Sequence, residues 1–274
     1  MMARVMVGLL GAPVVLGLLW MGGTPFALMC SFIAGVAAWE FSAMGYGSGH
    51  PATTALAVAA SIGFVIDASF GLGQSPHILT LVVLGPLLLQ VVRGKPSKAM
   101  SETALAAFSP LYTGWCLSRF CLIRVSFADA GRGLALLVIV LIWMCDMGAF
   151  FTGRRFGKRK LAPALSPKKT VEGCVGGYAW AIVGATAFKA LGDATGLWYT
   201  LNWPTSFALA VLVATAGQIG DLAESAMKRD AGCKDAGWIF PGHGGMLDRF
   251  DSLLFAGPAA YFFLLRILPI LTGR

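Results

Sequence analysis

Long apolar runs separated by short polar loops make up almost the whole chain. A helix that crosses the hydrocarbon core of a bilayer needs about 20 consecutive apolar residues. Nine runs approach or reach that length, at roughly 4–22, 24–44, 52–73, 76–92, 103–123, 133–152, 173–191, 203–228 and 249–271. The pattern predicts an all-α fold: a polytopic integral membrane helix bundle of about nine transmembrane helices with short polar loops.

The composition supports a membrane protein. Hydrophobic residues fill 57% of the 274 positions and charged residues only 12%, whereas a soluble domain carries about 25% charged residues. No interval between the runs could hold a soluble domain, so we expect a single membrane domain over 1–274. Its N-terminal spans lie in 1–140, and the spans and loops that carry chemistry lie in 141–274. The six cysteines include no CxxC pair, which predicts neither a disulfide framework nor a zinc site.

Basic residues are concentrated in the loops that nine spans place on one side of the membrane. Most of the 21 lysines and arginines fall at the N-terminus or around 93–98, 154–169 and 228–249. The positive-inside rule makes that side cytoplasmic. We therefore expect the N-terminus and both long polar loops to be cytoplasmic, and the C-terminus to lie outside.

The most polar stretch, 220–251, holds six of the thirteen acids: Asp221, Glu224, Asp230, Asp235, Asp248 and Asp251. Within a helix, the spacing of Asp221, Glu224, Ser225 and Lys228 places all four on one face. Carboxylates suit Mg²⁺, and Mg²⁺ together with lysines suits a nucleotide triphosphate. A plain solvated loop between two membrane helices is the alternative, although it does not explain acids placed inside the apolar flanks.

A second polar stretch, 143–177, joins the sixth and seventh runs. Asp146 lies inside an apolar run, where a carboxylate requires a partner or a site. Thr170 is placed to cap the seventh helix, with Glu172 in its first turn. Lys168 and Lys169 precede that helix N-terminus, a favourable position for a phosphate group. The alternatives are a structural ion pair for Asp146 and a basic loop that binds anionic lipid headgroups.

The first of these stretches resembles the phosphatidate cytidylyltransferases. The residues that match that family's pattern are Ser225, Met227, Lys228-Arg229, Lys234-Asp235, Gly237, Phe240-Pro241, His243-Gly244-Gly245, Met246, Asp248-Arg249, Phe250 and Asp251. The run from Ser166 to Gly173 is similar to the family's second landmark. Specific motifs thus cover about 143–251, whereas 1–140 matches only in hydropathy and in isolated details such as Glu40.

The resemblance implies transfer of a cytidylyl group from CTP to phosphatidate, giving CDP-diacylglycerol and pyrophosphate. It implies Mg²⁺, alone or with a second cation, on Asp221 and Asp248, with Asp251 and Glu224 as further ligands or beside them. Lys228, Arg229, Lys234 and Arg249 would neutralise phosphates, and Ser225 and His243 would make polar contacts. Lys168 and Lys169 would meet the phosphates of one substrate, with Asp146 near the substrate site.

Two other classes of function stay open. A CTP-dependent lipid kinase would transfer the γ-phosphate instead, and a transporter would account for many spans with buried acids, although it predicts two related halves. The implied partners are CTP, phosphatidate and the lipid bilayer, with no nucleic acid and with a homodimer as an open alternative. We expect a bacterial inner-membrane location.

Overall fold

The computed structural model describes residues 2–46, 50–94, 96–237, 239 and 244–272, and most of them are helical. The α-helices within these residues are α1 (Met2–Met21), α2 (Gly23–Tyr46), α3 (Pro51–Phe70), α4 (Ser75–Arg93), α5 (Ala99–Pro110), α6 (Cys116–Ser126), α7 (Ala130–Phe156), α8 (Val171–Thr195), α9 (Trp203–Asp230) and α10 (Leu247–Thr272). A π-helical turn, Leu111–Trp115, joins α5 to α6, and two short strands, β1 (Lys160–Ala162) and β2 (Ser166–Thr170), lie between α7 and α8.

Seven helices within the described ranges are long and apolar enough to cross a membrane: α2, α3, α4, α7, α8, α9 and α10. The prediction of an integral membrane helix bundle is therefore confirmed, while the exact count of nine spans stays a prediction. The fifth apolar run is divided among α5, the π turn and α6. Pro110 ends α5 and lacks the N–H of a regular helix, which explains a break at this point.

The chain divides into two compact units, and the expectation of one domain over 1–274 stays a prediction. The first unit comprises Met1–Cys121 and Asp230–Phe250, and the second comprises Leu122–Arg229 and Asp251–Arg274. In the first unit, the rings of Phe108 and Tyr112 stack at 5.6 Å between centroids, and Phe41 contacts both. These contacts join α2 to the segment around the π turn.

In the second unit, α7 and α8 pack closely through small residues. A Cβ on Gly184 would stand 2.8 Å from Cγ of Met144, and one on Gly173 would stand 2.8 Å from the carbonyl oxygen of Ala149. Glycines let two membrane helices approach at backbone distance, where van der Waals packing is strongest. This packing holds the polar C-terminal end of α7 against the N-terminal end of α8.

The loop between α7 and α8 is ordered by two local devices. β1 and β2 pair antiparallel, an element that the sequence analysis did not anticipate. Thr170 caps α8 by accepting a hydrogen bond from the Gly173 N–H at 3.1 Å, as predicted. The Glu172 carboxylate accepts hydrogen bonds from the backbone N–H groups of Lys158 and Arg159. The loop is thereby fixed to the first turn of α8.

A close approach of α9 and α10 in the second unit gives the first testable prediction. A methyl group added at Gly220 would stand 2.7 Å from the Asp251 carbonyl oxygen and 3.0 Å from the Phe255 ring. We expect Gly220→Ala to lower the free energy of unfolding by about 1–3 kcal/mol, because an overpacked interface must shift. Thermal unfolding of the detergent-solubilised protein measures this change.

Gly217→Ala is the matched control on the same helix. The nearest atom to its new methyl group would be Cβ of Ser252 at 3.6 Å, an ordinary contact. Both substitutions bring the higher helix propensity of alanine, so the difference between the two variants reports the clash alone. Equal unfolding temperatures for the two variants would contradict this packing.

Candidate active site

A cavity of about 490 Å³ lies in the second unit, beside the Lys169–Thr170 end of β2 and the start of α8. Residues of α7, β1, β2, α8 and α9 line it, so five elements contribute to one space. Its lining residues are Asp146, Ala149, Phe150, Gly153, Arg154, Leu161, Lys168, Lys169, Thr170, Gly173, Cys174, Gln218 and Asp221. The cavity therefore joins apolar walls to groups of both charge signs.

An ion pair crosses this cavity from β2 to α9. Nζ of Lys169 lies 2.6 Å from Oδ2 of Asp221, and the two side chains are 26% and 36% exposed. An ion pair this accessible adds little to folding stability. The two predicted site residues are thus brought together where a ligand can reach both. Lys168 and Arg154 add positive charge to the same lining.

Acidic side chains from three helices lie close together next to the cavity. The Asp251 carboxyl interacts electrostatically with Asp221 and Asp146, and it hydrogen-bonds to Glu224. Glu224 is fully buried, and its Oε2 accepts a hydrogen bond from Nζ of Lys228 at 2.8 Å. Four predicted site acids, from α7, α9 and α10, therefore form one acidic group in the second unit.

This acidic group suits a hard divalent cation. Two carboxyl groups that share a hydrogen bond, with further carboxylates nearby, need a shared proton or a cation to offset their repulsion. Within the described part of the chain, no three His, Cys, Asp or Glu side chains form a ready-made metal site. Mg²⁺ is commonly held by one or two carboxylates together with waters and substrate phosphates. Asp221 and Asp251 fit that mode of binding.

Asp248 lies in the first unit, in the first turn of α10. Its Oδ2 accepts hydrogen bonds from the backbone N–H groups of Ala236 and Gly245, both at 2.8 Å. Asp248 therefore links Ala236 to Gly245, two residues of the segment 231–246 between α9 and α10, here called the motif loop. The predicted sharing of one metal ion by Asp221 and Asp248 stays a prediction.

The other predicted site residues have varied surroundings. Ser225 is buried on α9, and Nε of Arg229 donates to the Leu165 carbonyl at 3.4 Å. Lys234 and Arg249 are exposed in the first unit. His243 lies outside the described residues, as do Phe240 and Pro241 of the motif.

Comparison with known proteins decides the family. The chain matches the cytidylyltransferase family model over residues 2–267. The chain belongs to this family. It is similar to the phosphatidate cytidylyltransferase of Bacillus subtilis, at 34% identity over 96% of this chain and 97% of that protein. It is also similar to the enzyme of the same name from Brucella suis, at 32% identity over 95% of this chain and 92% of that protein.

A third relative matches a shorter region with higher identity. The phosphatidate cytidylyltransferase of Synechocystis sp. is 42% identical over 52% of this chain and 47% of that protein. The family predicted from the motifs is thus confirmed, and the protein is an enzyme, a nucleotidyltransferase. The individual site roles stay predictions.

Several lining residues of this cytidylyltransferase were not predicted as site residues, among them Arg154, Gln218 and Cys174. The Gln218 side chain lines the cavity and donates to the Cys174 carbonyl at 3.3 Å, which links α9 to α8. Gln218 precedes Asp221 by three positions, so the helical spacing that grouped the acids of α9 could also have included it. Nothing in the local sequence pattern of Cys174 indicates a cavity.

The ion pair in the cavity gives the second prediction. We expect Lys169→Ala and Asp221→Asn each to lower kcat/KM by about 10²-fold or more, because each removes a charged group from a site that is preorganised for phosphates. The double variant should lose little more than Asp221→Asn alone, since groups that act as a unit are not additive. Steady-state rates of the three purified variants measure the coupling.

The control is an ion pair of the same kind outside the cavity lining. Lys189 and Asp193 on α8 are joined at 2.8 Å, and neither lines the cavity. We expect Lys189→Ala to keep kcat/KM near the wild-type value. Independent, additive losses at Lys169 and Asp221 would show that the two residues do not act together.

Proposed function

We propose that the protein transfers the cytidylyl group of CTP to phosphatidate, forming CDP-diacylglycerol and pyrophosphate. The observation that carries the proposal is the cavity in the second unit, where lysines, an arginine and carboxylates meet among membrane helices. Relatives that match nearly the whole chain bear the name of this activity. A charged cavity among apolar helices is costly unless it serves a charged substrate that is found at the membrane.

The reaction itself requires little from a base. An oxygen of the phosphatidate phosphate attacks the α-phosphorus of CTP and forms a new P–O bond. The bond between the α-phosphorus and the oxygen that bridges it to the β-phosphorus breaks, so that pyrophosphate leaves. The second pKa of a phosphomonoester is about 6, so the attacking oxygen is largely ionised at neutral pH. The protein must bring two polyanions together and stabilise the charge of the leaving group, which is a task of positioning and electrostatics.

The basic side chains are suited to that task. Lys168, Lys169 and Arg154 line the cavity and would bind substrate phosphates. Lys169 is oriented by Asp221, so its ammonium group is held in place before substrate arrives. Lys228 is already paired with the buried Glu224, and we assign to it the role of neutralising that charge on α9.

The carboxylates would hold Mg²⁺. Asp221 and Asp251 in the second unit fit such a cation, with Glu224 and Asp146 beside them. For Asp248, in the first unit, the family resemblance implies a metal-binding role. When bound, Mg²⁺ would supply positive charge to offset that of the phosphate oxygens and the leaving pyrophosphate. The side chains of the cavity themselves bind and orient the substrate phosphates and screen their charge.

The apolar part of the cavity suits a lipid substrate. Ala149, Phe150 and Leu161 share the lining with the charged groups, and Phe150 is 59% exposed. A phosphatidate molecule could place its phosphate among the basic residues while its acyl chains stay in the apolar phase. A water-soluble acceptor would gain nothing from these apolar walls.

The test of the proposal is product identity. The purified protein is incubated with CTP, phosphatidate and Mg²⁺, and we expect pyrophosphate and CDP-diacylglycerol to form in equal amounts. Release of CDP with a phosphorylated lipid would identify a kinase instead. Absence of any product from a folded, monodisperse preparation would contradict an enzyme of this class and favour a transporter.

The proposed location is the inner membrane of a bacterium, with nine spans, a cytoplasmic N-terminus and an external C-terminus. Single cysteines in a cysteine-free background test this topology at Lys158, Ala231 and Leu197, all three exposed. We expect a membrane-impermeant maleimide to label Leu197→Cys on intact cells and to miss Lys158→Cys and Ala231→Cys, because only the basic loops are cytoplasmic. After lysis all three should react. External labelling at Lys158 or Ala231 would overturn the topology.

A further inference from the structure

Glu40 is a fully buried acid on α2, far in sequence from every residue placed in the site. Its Oε1 accepts a hydrogen bond from the Met246 N–H at 3.0 Å, and its Oε2 accepts one from the Leu247 N–H at 2.8 Å. Leu247 is the first residue of α10. The first N–H groups of a helix have no partner within the helix, so Glu40 satisfies donors that would otherwise be buried without a partner.

The next residue along α10 is Asp248. Its carboxylate accepts hydrogen bonds from Ala236 and Gly245, on the loop before the helix. Two carboxylates, one from α2 and one from α10, therefore accept four backbone N–H groups, three from the motif loop and one from the first residue of α10. The loop is held from both sides by negative charge, and the partial positive charge of a helix N-terminus adds to the attraction.

The glycines of the motif are explained by the same two carboxylates. A Cβ on Gly237 or Gly245 would overlap the Glu40 carboxylate. A Cβ on Gly244 would stand 2.6 Å from Oδ2 of Asp248, and the φ of Gly244 is +80°, a value that side-chain-bearing residues rarely adopt. A larger residue at any of these three positions would therefore have to displace one of the two carboxylates.

We propose that Glu40 is a positioning residue for Asp248, and so for the reaction. Glu40 fixes the backbone at Met246 and Leu247, which sets the point where α10 begins and hence where the Asp248 carboxylate stands. The inference rests on the proposed function, in which Asp248 is a predicted metal ligand. Through Glu40, the N-terminal spans would contribute to the chemistry, although they contain no specific motif.

The test uses the full-length protein in detergent, with Glu40→Gln as the variant. Glutamine keeps the size of the side chain, but its amide group presents a donor to one of the two N–H groups and leaves that group unsatisfied. Two quantities are measured: hydrogen exchange of a peptide that contains Met246 and Leu247, and the Mg²⁺ concentration that gives half the maximal rate. The second quantity does not depend on the fraction of folded enzyme, so a purely structural loss would not move it.

We expect hydrogen exchange of this peptide to be faster in Glu40→Gln. The Mg²⁺ concentration at half the maximal rate should rise by about 10-fold or more, as is usual when a group that orients a metal ligand is lost. Ser42→Ala is the matched control. Ser42 is fully buried two positions along the same helix and contacts Ser109, away from the motif loop. This control should leave both quantities unchanged.

A folded Glu40→Gln protein with wild-type exchange and wild-type Mg²⁺ dependence would overturn the proposal. If this variant does not accumulate, Gly245→Ala can be measured in the same way. Its methyl group overlaps the Glu40 carboxylate and so disturbs the same contact from the loop side. Exchange needs no activity. An inactive wild-type protein whose peptide is protected, and loses protection in Glu40→Gln, would refute the proposed function while keeping the contact.

Discussion

A carboxylate placed among membrane helices must be compensated where it stands, and this constraint shapes every polar part of the protein. Burial of an uncompensated charge costs several kcal/mol. Within the described residues, the acids of the motifs meet three kinds of partner: backbone N–H groups for Glu40 and Asp248, lysines for Asp221 and Glu224, and a second carboxyl group for Asp251. Each compensation also fixes a segment of backbone or a side chain in place.

The contacts that order the polar segments also position the charged groups of the cavity. Glu172 fixes the segment between α7 and α8 to the first turn of α8, and β2 in that segment presents Lys168 and Lys169 to the cavity. Lys169 in turn meets Asp221 on α9. A side chain oriented in this way loses less freedom when a phosphate arrives, which is the advantage of preorganisation for an electrostatic site.

Features determined by local spacing could be predicted from the sequence. The shared face of Asp221, Glu224 and Lys228 follows from helical periodicity, and α9 is helical over that whole stretch. The cap at Thr170 follows from the preference of N-caps for short polar side chains. The family followed from motif residues whose spacing is fixed over a long stretch, and the family match agrees with it.

Features determined by contacts between distant segments could not be predicted in this way. Glu40 and Met246 are 206 positions apart, and no local pattern indicates such a contact. The cavity also depends on distant segments, since α7, β1, β2, α8 and α9 each contribute only a few lining residues. The π turn after Pro110 could not be predicted, because an apolar run has the same pattern whether its helix is regular or broken.

The central claim is that the acidic group of the second unit is a cation site. Mn²⁺, which takes the same oxygen ligands as Mg²⁺, can be titrated into the purified full-length protein and followed by electron paramagnetic resonance. The account predicts that wild-type protein binds Mn²⁺, that Asp221→Asn weakens binding by about tenfold or more, and that Asp193→Asn, outside the cavity lining, leaves it unchanged. Equal Mn²⁺ affinity in wild-type and Asp221→Asn protein would contradict it.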